Sequence, residues 1–482
     1  MHNILRASIV YRALAAAGAW FGAQWRSSVI VNRFLSLGVV KRMSEGSVFE
    51  RIWQSFHRGL CAVFRKLRLD RLLSGSIFAK PYIWSFLALI LAPILPTMAV
   101  LAISLICITT LILAFGCDKE RRLVYSPVNK YILLFAFIYI VATLTSVTLS
   151  GSLLGGALTT LFVLFTIVMQ NSVTTRRQYD ALVYAFVISG AVVAAYGIYQ
   201  YVFGASGASA WLDSTMFAGS GVRVYSTLGN PNVLSEYLLL VIPFAGACLI
   251  IAKGVIPKLF FAGCLGAMLL CMVLTFARGG WLGLIIAAAI FLVMLDRRLI
   301  LVGVAMLIIL YFTLPDYILK RFFSIGNIGD SSTSYRVSIW QATLVMLRDH
   351  WFTGIGPGTA AFNRIYPLYS FNTVSAPHSH NLFLQITVET GISGIIFFVL
   401  ILFNYIRNLC SANAAKLPAA IPAPASAKSS KILQIASITS VLGFLVQSAT
   451  DHSFYNYRVT LVFWAVLGLG AIAARRDELA GS

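Results

Sequence analysis

The feature that most constrains this chain is a recurrence. Apolar runs of about 17–25 residues follow one another from Ile83 onward, each long enough to cross a hydrocarbon core of ~30 Å as a helix. They are apolar on every face, whereas a transmembrane strand alternates with a period of two. The chain is 59% hydrophobic and 11% charged, against roughly 25% charged in a soluble domain. No soluble fold hides that much apolar surface, so lipid is part of the solvent. These properties predict an all-α polytopic integral membrane protein.

About twelve spans can be drawn. Residues 83–116 are too long for one helix, and Pro93 and Pro96 divide them into a tight pair. Further spans fall near 130–148, 153–170, 181–203, 232–252, 259–277, 281–295, 299–314, 383–406, 432–450 and 459–474. Two longer polar loops interrupt them, at 204–229 and 315–382, and the second has room for short helices. The Pro/Ala/Lys stretch 414–431 reads as a linker. No internal repeat is evident, which argues against inverted-repeat transporter folds.

The net charge of +21 first suggests nucleic acid. Its distribution excludes that partner, because Lys and Arg gather in short clusters between spans, as the positive-inside rule describes. With a cytoplasmic N-terminus nearly every cluster is cytoplasmic, including Lys119–Arg122, Arg176–Arg177, Arg297–Arg298 and Arg475–Arg476. Both termini then lie in the cytoplasm. The seven cysteines form no CxxC pair and suggest neither zinc nor a disulfide framework.

Residues 1–80 differ from the rest. Basic residues recur from Arg6 to Arg71, and Arg6 and Arg12 break the first apolar stretch too early for a cleaved signal peptide. Ile52, Phe56, Leu60, Phe64 and Leu67 recur at helical spacing among Arg and Lys. That pattern is an amphipathic cytoplasmic helix suited to an anionic membrane surface, or to a cytoplasmic docking partner.

The topology sorts the polar residues onto one outward surface: Arg223, Arg278, Arg336, His378, His380, Asn381 and Asp451. Arg278 stands before Gly279-Gly280 between two spans with almost no loop, where a guanidinium lines a cavity or snorkels to headgroups. Arg223 precedes Gly229-Asn230-Pro231-Asn232, in which Asn230 and Pro231 suit the start of a helix. Arg336 lies one turn before Trp340 and is equally open to a surface ion pair. His378 and His380 at i, i+2 lack a third metal ligand nearby, so no metal is expected. Cations nearby favour the neutral, basic form of a histidine. Asp451 can orient a histidine or pair with an arginine. Guanidinium forks match phosphate oxygens, and at a membrane boundary the phosphate at hand is a lipid's. Reaction there needs a base for an attacking hydroxyl and cations for the leaving group.

These residues carry a resemblance. His380-Asn381, nine residues, then Gly391-Ile392-Ser393-Gly394 is similar to the motif of the O-antigen ligase and polymerase family. The segments Gly354-Ile355-Gly356-Pro357-Gly358, Arg278-Gly279-Gly280 and Gly229-Asn230-Pro231-Asn232 also resemble that family's, over about residues 200–460. The resemblance implies a GT-C-like fold in a bacterial inner membrane. It implies metal-independent, inverting transfer of a saccharide from undecaprenyl diphosphate on the extracytoplasmic side, with no cofactor. His380 is then the base, Arg278 and Arg336 hold the pyrophosphate, and Arg223 is a weaker member of the clamp. Asn381 and Asp451 support the site, and His378 is a rival base. The acceptor is a glycan, lipid or protein hydroxyl. Two alternatives remain: a transporter of lipid-linked or anionic polysaccharide, and a scaffold that binds polysaccharide-export proteins through its basic tail.

Overall fold

The computed structural model describes residues 48–73, 75–204, 223–326, 331–371, 374–414, 425–476 and 479. The basic residues between Arg6 and Arg42, most of the 204–229 loop and most of the 414–431 linker lie outside them. The chain divides into two compact units, Met1–Phe56 with Tyr125–Pro127, and His57–Val124 with Val128–Ser482. Only residues 48–56 and 125–127 of the first are described, and the second carries everything discussed below.

The described residues are all-helical. In chain order the helices are α1 (Val48–Lys66), α2 (Leu69–Leu73), α3 (Pro81–Leu91), α4 (Thr97–Cys117), α5 (Asn129–Leu144), α6 (Leu149–Ser172), α7 (Arg176–Phe203), α8 (Pro231–Ile251) and α9 (Val255–Leu274). They continue as α10 (Arg278–Leu295), α11 (Ile300–Thr313), α12 (Asp316–Phe323), α13 (Ser331–His350), α14 (Thr359–Ile365), α15 (Leu382–Ala414), α16 (Ala425–Ser448) and α17 (Tyr457–Ala474). Nine of these are long and apolar enough to span a membrane: α4, α6–α10 and α15–α17. The shorter apolar helices α3, α5 and α11 occupy the other three expected positions. The protein is therefore a polytopic, membrane-integral helical bundle.

Local chemistry sets the boundaries. Pro93 and Pro96 do separate α3 from α4. Asn230 caps α8 by accepting from the Asn232 N–H at 2.8 Å, with Pro231 at the first helical position. Thr175 and Gln178 form a capping box that starts α7 at Arg176, one turn earlier than hydropathy alone suggests. Helices α8, α16 and α17 are the inner ones, with more than 70% of their spanning windows buried, while α9 and α10 are below 30%. The apolar side chains of α9 and α11, such as Ile256, Leu259, Leu301 and Phe312, face outward, as a lipid solvent permits.

Inner helices meet closely at small residues. A Cβ on Gly283 would lie 2.5 Å from Gly443 O, so α10 and α16 touch backbone to backbone. Bonds between helices add to this, from Thr166 Oγ1 to Trp464 O at 2.7 Å and from Ser440 Oγ to Leu240 O at 2.9 Å. Within the second unit, the latter half of α1 docks on the end of α4. His57 Nε2 is 2.9 Å from Phe115 O, and the Phe64 ring fills the space beside Gly116. Ile52, Phe56 and Leu67 stay exposed.

Helix α15 is not continuous. At Gly391 the backbone has φ 69°, and a Cβ there would overlap Phe352 O. The break frees carbonyls that the Gly354–Gly358 turn uses: Ile355 N–H donates to Val388 O at 2.8 Å and Gly356 N–H to Glu389 O at 3.1 Å. Ile392 N–H donates in return to Trp351 O at 2.8 Å. The two glycine-rich motifs of the sequence are the two halves of this one joint.

Candidate active site

Alternation of the helices brings the connections after α3, α5, α7, α9, α11 and α16 to one end of the bundle. There, α10 begins at Arg278, α15 begins just after His380, and Asp451 follows α16. The basic clusters at 119–122, 253–258, 297–298 and 475–476 stand at the other end.

Arg223, Arg278, Arg321 and Arg336 line one open pocket of about 410 Å³, together with Asn232 and Asp451. Each guanidinium is held in place. Arg278 Nη1 donates to Ser324 O at 3.2 Å and to Ser324 Oγ at 2.9 Å. Arg223 donates from Nε to Thr275 O at 2.9 Å and from Nη2 to Asn232 Oδ1 at 3.0 Å. Arg321 Nε donates to Phe276 O at 3.2 Å, and Arg336 Nη1 to Ser332 Oγ at 3.1 Å. Burial, and then Arg321, Arg336 and Arg278 around it, push the Arg223 guanidinium down to about 9. Among the described residues, the four guanidiniums share this pocket with the carboxylate of Asp451.

Asp451 is the hinge of the arrangement. Its Oδ1 lies 3.4 Å from His380 Nδ1, and its Oδ2 lies 4.0 Å from Arg336 Nη2 and accepts from Asn232 Nδ2 at 3.0 Å. Asp451 thus contacts both a histidine and an arginine. Burial alone would push its carboxyl up, but the hydrogen bond from His380 and the charge of Arg336 outweigh burial and hold it well below the usual carboxylate range. An ionised carboxylate only accepts, so the His380 Nδ1–H donates to it, which leaves Nε2 as the ring nitrogen turned to other partners.

His380 adopts φ +48°, a left-handed conformation that a non-glycine residue holds only under constraint. The constraints are visible. Trp340 Nε1 donates to His380 O at 3.2 Å, and the His380 N–H donates to His378 Nδ1 at 3.2 Å. Asn381 caps α15 through Leu384 N–H at 3.0 Å and ties it to α16 by donating to Ala449 O at 2.8 Å. The His378 ring packs 4.2 Å from that of His380. Burial, and then His380, push its imidazole down to about 3. His378 is thus neutral, with Nδ1 occupied as an acceptor and the proton on Nε2.

All seven sequence-predicted residues converge here. Gly279 and Gly280 serve mainly close helix packing, since a Cβ on Gly280 would lie 2.7 Å from Ser235 Cβ. Sequence reasoning missed Arg321 and Asn232. Arg321 sits beside Lys320 on the short amphipathic helix α12, and nothing in the sequence marks it as turned inward.

Residues 263–399 match the family model described as O-Antigen ligase. This stretch is similar to the O-antigen ligase family. It contains Arg278, Arg321, Arg336, His378, His380, Asn381 and the Gly391–Gly394 motif, and it is shorter than the 200–460 over which resemblance was expected. Arg223, Asn232 and Asp451 come from outside the matched stretch and complete its pocket. No curated protein matches the chain.

Proposed function

We propose that this chain is a glycosyltransferase of the bacterial cytoplasmic membrane that takes its donor from an undecaprenyl-diphosphate-linked oligosaccharide. The match of residues 263–399 to the O-antigen ligase family model supports a ligase-type role in polysaccharide biosynthesis. The observation that carries the finer reading is Asp451, which joins His380 to Arg336 at the mouth of a pocket lined by four arginines.

In this reading the diphosphate of the donor lies against Arg223, Arg278, Arg321 and Arg336. His380 Nε2 removes the proton from an acceptor hydroxyl as its oxygen attacks the anomeric carbon. The bond from that carbon to the phosphate oxygen breaks, and the diphosphate leaves with the electron pair. Asp451 orients the imidazole and stabilises its cation, as a carboxylate does beside a catalytic histidine. The guanidiniums neutralise the charge growing on the leaving group, so the step draws on the protein's own cations. Attack opposite the leaving group inverts the anomeric centre. His378 is disfavoured as base, because its only basic nitrogen already accepts the His380 N–H.

The basic clusters at the far end of the bundle support a cytoplasmic location for that end, by the positive-inside rule, and an extracytoplasmic one for the pocket. Both termini are then cytoplasmic. The acceptor is a glycan, lipid or protein hydroxyl, and the basic N-terminal region is a candidate contact for polysaccharide-export proteins.

The test is transfer by purified protein in nanodiscs, supplied with lipid-linked oligosaccharide and acceptor. Product should form in the wild type and be lost in His380→Ala. Unaltered turnover in the variant removes His380 as base. Movement of the lipid-linked glycan across vesicles with no new glycosidic bond would favour a transporter. In cells, deletion that shortens surface glycan identifies a polymerase, whereas long chains stranded on the lipid carrier identify a ligase.

A further inference from the structure

A second pocket, partly open to solvent, is lined by His378, whose ring packs against that of His380. It is lined by Tyr139, His378, Glu389, His452, Tyr455 and Tyr457 among others, with no lysine or arginine among the described residues that line it. The mechanism above uses none of these residues in the transfer step.

Its chemistry is the opposite of the cationic pocket. Glu389 is buried and fixed, with Oε1 accepting from Gly358 N–H at 3.2 Å and Gln385 Nε2 at 3.1 Å, and Oε2 accepting from Tyr139 OH at 3.1 Å. A fixed acidic side chain without a cation beside it offers nothing to an anionic ligand, but it accepts well from hydroxyls. His452 is buried, and its Nδ1 has no hydrogen-bond partner among the described residues. A buried polar nitrogen of that kind asks for a ligand group. Tyr455 is half-exposed, its ring 4.7 Å from that of His378, and supplies an apolar face edged by polar groups. Hydroxyl-bonding side chains around an aromatic face suit an uncharged sugar.

Position assigns its role. Consecutive residues face different pockets: Asp451 lines the cationic one and His452 this one. His378 lines this pocket and packs against His380. In an inverting displacement the nucleophile and the leaving group approach the anomeric carbon from opposite faces. We infer that this pocket binds a neutral, hydroxyl-rich sugar residue of the acceptor and presents its hydroxyl to His380. The inference rests on the glycosyltransferase reading and names the acceptor side of the same site.

The experiment has a binding arm and a kinetic arm. In the first, wild-type protein in nanodiscs, without donor, is mixed with methyl glycosides of neutral hexoses and N-acetylhexosamines, and with methyl glucuronide as the acidic control. Saturation-transfer NMR should detect at least one neutral glycoside and not the glucuronide, and Tyr455→Ala should abolish the signal. Binding of inorganic pyrophosphate to Tyr455→Ala, equal to wild type, shows that the variant is folded. In the second arm, Tyr455→Ala should raise the KM for acceptor about tenfold and leave the KM for lipid-linked donor within twofold. The inference is overturned if no neutral glycoside binds, if the glucuronide binds equally, or if Tyr455→Ala leaves the signal intact. A shift in donor KM alone also overturns it, since the pocket would then hold the donor's own sugar. Glycoside binding without any glycosyl transfer would sink the enzymatic reading and leave the sugar site standing. Transfer with an unmoved acceptor KM would do the reverse.

Discussion

The His380 N–H donates to His378 Nδ1 at 3.2 Å, so the two histidines of the His-Ser-His segment are not equivalent. A backbone N–H only donates, which makes His378 an acceptor at Nδ1 and a proton carrier at Nε2. His380 is left with its Nδ1 on Asp451 and its Nε2 available.

Substitution separates the two. His380→Asn should lower turnover of lipid-linked donor by at least about 10³-fold, the upper range for loss of a general base. His378→Asn can still present an acceptor near the His380 N–H and should stay within about tenfold of wild type. Equal losses in the two variants would contradict the assignment.

Asp451→Asn keeps the shape of the side chain and removes its charge. It no longer stabilises an imidazolium and no longer balances Arg336, so turnover should fall roughly 10²–10⁴-fold. Inorganic pyrophosphate should bind at least as tightly, because the pocket gains net positive charge. Weaker pyrophosphate binding would argue against a pyrophosphate clamp.

Arg321 is the member of the cationic pocket that hydropathy and motif did not reveal. A charge-assisted hydrogen bond contributes about 1.5–3 kcal/mol, so Arg321→Ala should weaken pyrophosphate binding by roughly 10- to 100-fold in calorimetry. An unchanged Kd would remove Arg321 from the clamp.

Acid should destabilise the protein earlier than carboxylate titration alone predicts. His378 is held down to about 3 against an ordinary 6.5, and burial also holds His452 well below that value. Between pH 6.5 and 3 the unfolded chain therefore binds more protons than the folded one, and stability rises with pH in that window. This contribution is fully present above pH 6.5 and is lost as pH falls towards 3. Asp451, also depressed, adds its loss only below about pH 4. The thermal midpoint should decline from pH 6.5 downward, and His378→Asn should flatten the decline. A midpoint constant from pH 7 to 4.5 would refute it.

Gly391→Ala should lower the thermal midpoint by several degrees, because its Cβ overlaps Phe352 O at a positive φ, and strain of that type costs about 1–3 kcal/mol. Gly263, with nothing within 4 Å of an added Cβ, is the control. Gly263→Ala should be silent or slightly stabilising, since alanine suits a helix better. Equal effects at both positions would remove the joint between α15 and the Gly354–Gly358 turn.

What the sequence determined by itself is what each segment settles against its solvent. Run length and apolarity placed the spans because crossing a membrane is an equilibrium between one helix and lipid. Pro93, Pro96 and the Asn230-Pro231 pair marked boundaries because capping is local. Lys and Arg clusters marked the loops between spans, and the motif around His380 lies in the stretch that matches the O-antigen ligase family model. The tertiary structure alone decided the pairings. Asp451 reaches His380 across 71 residues and Asn232 across 219. Arg321 turns inward because α12 folds back onto the Phe276 carbonyl. Gly391 breaks a helix because a distant turn needs its carbonyls. Such contacts depend on which helices neighbour one another, and hydropathy, which scores each segment alone, carries no term for that.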